Sequence, residues 1–480
     1  MGFGREGLRD RCDFGMGVKV VGLAVGAAGL GAGIWLASRA GTAMRVGTGV
    51  VSHTLCAGVF ISHLDPEQLY ADAILANPSQ ARLAARLRYT IDRKNREVTV
   101  TWAGLFKSRA VYRGDLGCMI VHSKAPDGGP QQDSRADAEG TDAGAESASS
   151  GGLPSAPPSE EIEAALNEAF AEPKQPPYRR VKAILILHGG EIVGERYAAG
   201  YRAATPLMGY SVSKSVINAL IGILVREGKL ATEQSAPVAA WSGGGDARHT
   251  ITIDELLRMT SGLSIAESDS GFDPVSRMLF VESDMAGFAE RSGLRATPGT
   301  QWQYSSGNTL VLSRIVRDAV GGNAEDVIEF AERELFGPLG MTSARMDFDE
   351  TGTPVGCIYF YATARDWAKF GALYAHDGIA GGRRILPDGW VNYSAAPTLN
   401  TDYGAGFWTN RGGHGDARFR IAGGMPEDSF YASGNFGQRM VIVPSENLVI
   451  VRFGQSHGAG QDMQGLVRLT AEVSAYLRRR

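Results

Sequence analysis

Cysteine is scarce in this chain: 480 residues contain four, Cys12, Cys56, Cys118 and Cys357. None forms a C-x-x-C pair and none groups with histidine at zinc spacing, which excludes the common structural zinc modules. The eight histidines are scattered, with none in a recognisable Ser-His-Asp order. No G-x-S-x-G elbow occurs, so an α/β-hydrolase plan is not supported. An excess of charge of one sign is missing too. Lys and Arg number 48 against 52 Asp and Glu, a net charge of −4. No basic cluster is interleaved with aromatics, so a nucleic-acid partner is not expected. Cys56 and Cys118 flank one N-terminal region. They are either bridged, if that region meets an oxidising compartment, or two separate buried thiols, and spacing does not choose between these.

The chain is too long for one ordinary core, and its length suggests two or three units. Val20 to Ser38 carries no charge between Lys19 and Arg39. That is about the length a membrane-spanning helix needs. The flanking basic residues favour the N-terminus inside and the rest outside, and no clean cleavage site follows Leu36. Residues 1–38 are therefore expected to be an uncleaved membrane anchor, with the catalytic part outside the cytoplasm (the periplasmic side in a Gram-negative source). Residues 39–123 read as a small folded unit, in which Glu97 to Trp102, EVTVTW, is a strand after a polar turn. Residues 124–159 lack aromatics and hold one large aliphatic, Leu153. Such a segment buries too little apolar surface to order itself and reads as a linker.

From residue 160 to 480 the chain reads as one domain. Ala183 to Leu187 and Ile192 to Tyr197 flank a Gly189-Gly190 turn. Thr252 with Glu255, and Thr363 with Asp366, are helix start signals, and Gly262 fits the end of the first of these helices. Arg439 to Pro444 and Leu448 to Phe453 are two further strands, and Leu466 to Leu477 is a last helix. Strands, helices, strands and a helix in that order suit a mixed α/β (α+β) fold: a helix-flanked antiparallel sheet whose first and last strands come together.

The informative segment is Met208 to Leu230. Val216, Ile217, Leu220, Ile221 and Leu224 recur at helical spacing, so it is a buried helix ending at Gly228. Ser211 lies at its start and Lys214 one turn on, on the same face. A serine hydroxyl is a weak nucleophile that needs an adjacent base, and a buried lysine is one such base. A serine at a helix start is more often simply a cap. Context favours chemistry. Tyr304, in the run Pro298 to Asn308, precedes an apolar helix over Leu310 to Val320 and can relay a proton. The run Ala432 to Gln438, with Gly434 and Asn435, enters a strand. Glycines there admit a close backbone approach, so that a backbone N–H can join that of Ser211 as an oxyanion hole.

Taken together, these clusters resemble the serine β-lactamase and penicillin-binding-protein family. The S-x-x-K element matches at Ser211 and Lys214. The Y-x-N element matches at Tyr304 but has Ser306 in the asparagine position. The K-T-G element is replaced by Ser433 to Gln438, and no lysine occurs between Ile421 and Arg452. The phrases LLRMTSGL, PLGMTSA, YATARDWAKFG and FGQRMVIVPSENLVIV are similar to the class C-like branch, with its family VIII esterases, 6-aminohexanoate-oligomer hydrolases and D-amino-acid peptidases. The resemblance implies a β-lactamase-like sheet, an all-helical subdomain and an acyl-enzyme on Ser211. It implies Asn435 N–H as second oxyanion donor, with Ser306 and Gly434 against the substrate, and no cofactor or metal. The missing lysine and asparagine turn the expectation from β-lactams to a small ester or linear amide. A penicillin-interactive D-amino-acid peptidase and a non-catalytic binding module of the same fold are the alternatives.

Overall fold

A computed structural model of the chain describes residues 40–76, 81–82, 84–122, 152–268 and 270–479. The first element is a helix over residues 40–60, α1. Four antiparallel strands follow in simple order: β1 (Leu87–Asp92), β2 (Glu97–Trp102), β3 (Phe106–Tyr112) and β4 (Cys118–Ile120). In β2, Val98 and Val100 are buried on one face while Thr99 between them is partly covered, the alternation a one-sided sheet requires. Cys56 and Cys118 form a disulfide that ties α1 to β4.

The expected membrane anchor is corrected here. Among the described residues no helix is long and apolar enough to cross a membrane. The stretch assigned to the anchor, residues 20–38, lies outside them. Its length and lack of charge fit a span, but its apolar character is diluted by five glycines and five alanines. The described helix that follows turns its residues into the protein instead. Thr48, Ser52 and His53 are buried in it, and His53 Nε2 bonds the buried Asp347 at 2.8 Å. Placement of the catalytic part outside the cytoplasm through such an anchor goes with it.

The body of the molecule opens with α2 (Glu160–Phe170), β5 (Val181–His188), β6 (Glu191–Tyr197), β7 (Leu207–Met208) and α3 (Ser213–Arg226). Next come α4 (Ser306–Val320), β8 (Arg345–Met346), β9 (Phe360–Ala362) and α5 (Ala364–Ala375). It closes with β10 (Trp408–Thr409), β11 (Phe430–Gly434), β12 (Gln438–Val443), β13 (Leu448–Gly454) and α6 (Met463–Leu477). The main sheet runs β10-β11-β12-β13-β5-β6, antiparallel throughout. Its first and last long strands meet as expected, with Leu187 opposite Val449. Apolar residues alternate between its faces. Ile184, Ile186, Val441 and Ile450 pack under α2 and α6. Ala183, Leu185, Met440 and Val451 belong to the larger core with α3 and α5. Of the residues assigned to a linker, 152–159 are described, and they lie along β6: Ile192 N–H donates to Pro154 O at 2.8 Å.

Helix α3 is buried from Ser213 to Leu224, its polar residues Ser213, Lys214, Ser215 and Asn218 included. Gly222 lets the Trp390 ring lie on it, since a Cβ there would sit 2.6 Å from that ring. The capping box of Thr252 and Glu255 forms, but its helix is short, Ile253–Leu257. Gly262 therefore serves a later turn, at φ 74° under Ala296 O, rather than that helix end. A small three-stranded sheet, β7-β9-β8, sits directly before the Ser211 turn.

Candidate active site

Ser211 is not in the helix proper. It occupies a 3-10 turn, Tyr210–Val212, that feeds α3. Two features hold the turn. Gly209 packs on Trp367, where a Cβ would be 2.7 Å from the indole. Tyr210 takes φ 48°, a left-handed conformation that a bulky residue avoids unless its surroundings enforce it. Its ring meets Phe436 edge-on at 5.2 Å, and Phe436 is itself at φ 59°. Gly209 N–H donates to Phe360 O at 2.8 Å, so β9 anchors the turn from below.

Lys214 lies in the first turn of α3 and is 3% exposed. Its Nζ contacts three oxygens: Ser211 Oγ at 2.8 Å, Cys357 O at 2.9 Å and Ser306 Oγ at 3.0 Å. The Tyr304 ring lies 4.9 Å from Nζ, so the phenol meets the amine through its face. Ser306, Cys357 and Tyr304, all distant in the chain, thus converge on the Ser211–Lys214 pair at one helix mouth. Ser306, expected to touch substrate, has its hydroxyl in the hydrogen-bonded chain with Lys214.

Strand β11, next to the two-residue edge strand β10, forms the opposite lip. β10 pairs only with Phe430 and Tyr431, and the Ser211 turn lies against the remainder. A Cβ on Gly434 would be 2.2 Å from Gly209 O and 3.1 Å from Ser211 N. Only glycine permits this approach. Asn435 follows, with its side-chain oxygen accepting from Gln461 Nε2 at 2.5 Å and from Phe436 N–H at 3.2 Å.

Several neighbours escaped the sequence reading. Glu267 Oε2 accepts the Ser306 N–H at 2.6 Å, placing a carboxylate at the start of α4 beside the lysine chain. Trp302, Tyr403 and Trp408 build an aromatic wall around Tyr304. Tyr304 stacks on Trp408 at 6.0 Å and meets Tyr403 edge-on at 5.9 Å, and Trp302 touches both. Trp302 stands two residues before Tyr304, the one local hint available. The Tyr403 phenol is buried without a hydrogen-bond partner, and burial raises its pKa. Cys357 lends its carbonyl to Lys214, but burial pushes its thiol up to about 12, so it is no rival nucleophile. A surface cavity of about 630 Å³ around Trp241 and His249 contains none of these groups. Its largely apolar lining brings no polar side chains together beyond a serine pair and one histidine, so the chemistry lies elsewhere.

The antiparallel sheet flanked by helices and a serine–lysine pair at a buried helix mouth define a serine-hydrolase type of architecture. The Beta-lactamase family model matches residues 177–475, more than half of the chain, and the chain belongs to that family. It is 28% identical over 222 residues to the 6-aminohexanoate-dimer hydrolase of Paenarthrobacter ureafaciens, covering 44% of this chain and 55% of that protein. The match thus spans about half the length of that relative. Among solved structures it resembles a penicillin-binding-protein homologue from Caulobacter crescentus, with a TM-score of 0.52 at 18% identity over 67% of this chain and 98% of that one. It also resembles a family VIII carboxylesterase, with a TM-score of 0.51 at 14% identity over 66% and 98%. At these identities the two structures speak to the fold.

Proposed function

We propose that the protein is a serine hydrolase that cleaves an ester or a linear amide through an acyl-enzyme on Ser211. The observation that carries this is the 2.8 Å contact between Lys214 Nζ and Ser211 Oγ at the mouth of a buried helix. When the pair reacts, the contact runs from hydroxyl to amine: Ser211 donates its proton to Nζ while Oγ attacks the carbonyl carbon. The oxyanion is held by the backbone N–H groups of Ser211 and Asn435, the strand and turn being brought together by Gly434. Lys214 then returns the proton, through the phenol of Tyr304, to the departing alcohol or amine. Water adds to the acyl carbon and releases the acid, regenerating the Ser211 hydroxyl. The name of the curated relative, a dimer hydrolase, agrees with an amide or ester substrate of modest size.

A fluorophosphonate probe tests this. It is expected to label Ser211, as read by peptide mapping, and to hydrolyse no further. Ser211→Ala is expected to abolish labelling, and Lys214→Met to slow it roughly 10³-fold while leaving the melting temperature near that of the parent. Labelling at another residue would overturn the assignment of Ser211, and no labelling on folded protein would favour a non-catalytic binding module.

A further inference from the structure

The lysine of the site is aimed by a loop that a distant part of the chain holds. As the base of the proposed hydrolysis, Lys214 is an unprotonated amine with two hydrogens and one lone pair. Its three contacts divide accordingly. The hydrogens go to Cys357 O and Ser306 Oγ, which leaves the lone pair facing Ser211 Oγ. Cys357 stands in the middle of a five-residue loop, residues 355–359, closed across the backbone of Asp347. Asp347 O accepts the Val355 N–H at 2.8 Å, and Asp347 N–H donates to Tyr359 O at 3.1 Å. Gly356 presses the same loop onto α3, where a Cβ would be 2.4 Å from Ile217. A shift of Asp347 therefore shifts the Cys357 carbonyl against Lys214.

The Asp347 side chain is held largely from the N-terminal unit, which lies outside the residues 177–475 that define the family. Its Oδ2 accepts from His53 Nε2 of α1 at 2.8 Å and from Tyr361 Oη at 3.1 Å. Its Oδ1 accepts the Cys118 N–H at the start of β4 at 3.0 Å. The His53 ring also stacks on Tyr359, with centroids 3.7 Å and planes 18° apart. One buried imidazole thus grips the loop twice, through Asp347 across its base and through Tyr359 at its end. A carboxylate enclosed in protein keeps its place only while its donors keep theirs. We propose that His53 is a positioning residue for this active site: it sets the Cys357 carbonyl, and the carbonyl turns the lone pair of Lys214 toward Ser211. The N-terminal unit thereby belongs to the working site. The effect on Lys214 rests on the hydrolase reading above; the grip on the loop does not.

The test takes two readouts on the intact, folded protein. Fluorophosphonate acylation gives a maximal rate and a half-saturating concentration. Hydrogen exchange with mass spectrometry reads the amides of residues 355–361. His53→Phe keeps a flat ring for Tyr359 but has no donor for Asp347. It is expected to slow maximal acylation roughly tenfold or more, as misplacement of a reacting group does. The half-saturating concentration is expected to change by less than about twofold, and exchange across residues 355–361 to quicken. His53→Gln restores a donor and is expected to recover most of the rate. Asp72→Asn removes the ion pair with Lys182 elsewhere in the same unit and reports general loosening; its acylation is expected to match the parent. Should His53→Phe not fold, His53→Asn, whose amide is too short to reach Asp347, replaces it with the same expectation. The inference is overturned if the folded variant acylates at the parent rate, if its loop exchange is unchanged, if His53→Gln recovers nothing, or if Asp72→Asn is equally slow. A parent protein that takes no label while the variant quickens loop exchange retires the hydrolase, and with it the effect on Lys214. A labelled parent whose rate the variant leaves unaltered retires the positioning alone.

Discussion

Cys357 shows how closely the residues around Lys214 are specified. Its carbonyl fixes the amine at 2.9 Å, while burial holds its thiol protonated up to about 12. The native protein therefore keeps this proton at pH values where an unfolded chain, with the ordinary thiol value of 9.0, has lost it. The raised folded value means that the contribution of this group to stability is full below pH 9 and is lost as pH climbs toward 12. Iodoacetamide at pH 8.5 is expected to leave Cys357 unmodified and the labelling of Ser211 unchanged, and to alkylate it only after denaturation. Mass spectrometry reads both. At this scale the sequence was partly legible. Ser211 and Lys214 share one helical turn, so spacing alone brings them together. Tyr304 and Ser306 could be singled out, though not the contact each makes. Glu267 could not, because a carboxylate in a polar loop carries no mark of where its far end points.

The Ser211 turn and the edge of β11 form a paired element, each shaped by the other. Tyr210 and Phe436 both hold left-handed backbones and their rings touch. Gly434 completes the contact, with room for no side chain between β11 and Gly209 O. Gly434→Ala is expected to keep the fold, as judged by far-UV circular dichroism. The strand would be pushed off the turn, and Ser211 acylation slowed on the order of 10²-fold, the scale of losing one oxyanion donor. An unchanged acylation rate would show that the close approach is merely packing. The long elements were readable from periodicity and caps: α3, α5 beginning at the Thr363 cap, β2, and the β12–β13 hairpin around Asn447. Short elements were not. β10 is two residues, Trp408–Thr409, and its role is set by the neighbour it pairs with rather than by its own pattern.

Across the whole molecule, the N-terminal unit is built into the body. Val51, Leu55, Val98 and Val100 share one buried cluster with residues of α3 and α5. The Cys56–Cys118 bridge closes a 62-residue separation, for which chain entropy gives about 4 kcal/mol of stabilisation. Reduction is expected to lower the denaturant midpoint accordingly, with little change in the slope of the transition; an unaltered midpoint would place the stabilisation elsewhere. Little of this docking was legible in the sequence, because His53 and Asp347 lie 294 positions apart and neither sits in a patterned context. Asp347 is wholly enclosed and takes bonds from His53, from Tyr361 Oη at 3.1 Å and from the Cys118 N–H at 3.0 Å. Two of those three donors belong to the stretch before residue 123. A protein trimmed to the matched span would therefore lose two of the three donors to Asp347 together with residues that help enclose it. The span that defines the family and the span that completes its buried core do not share a border.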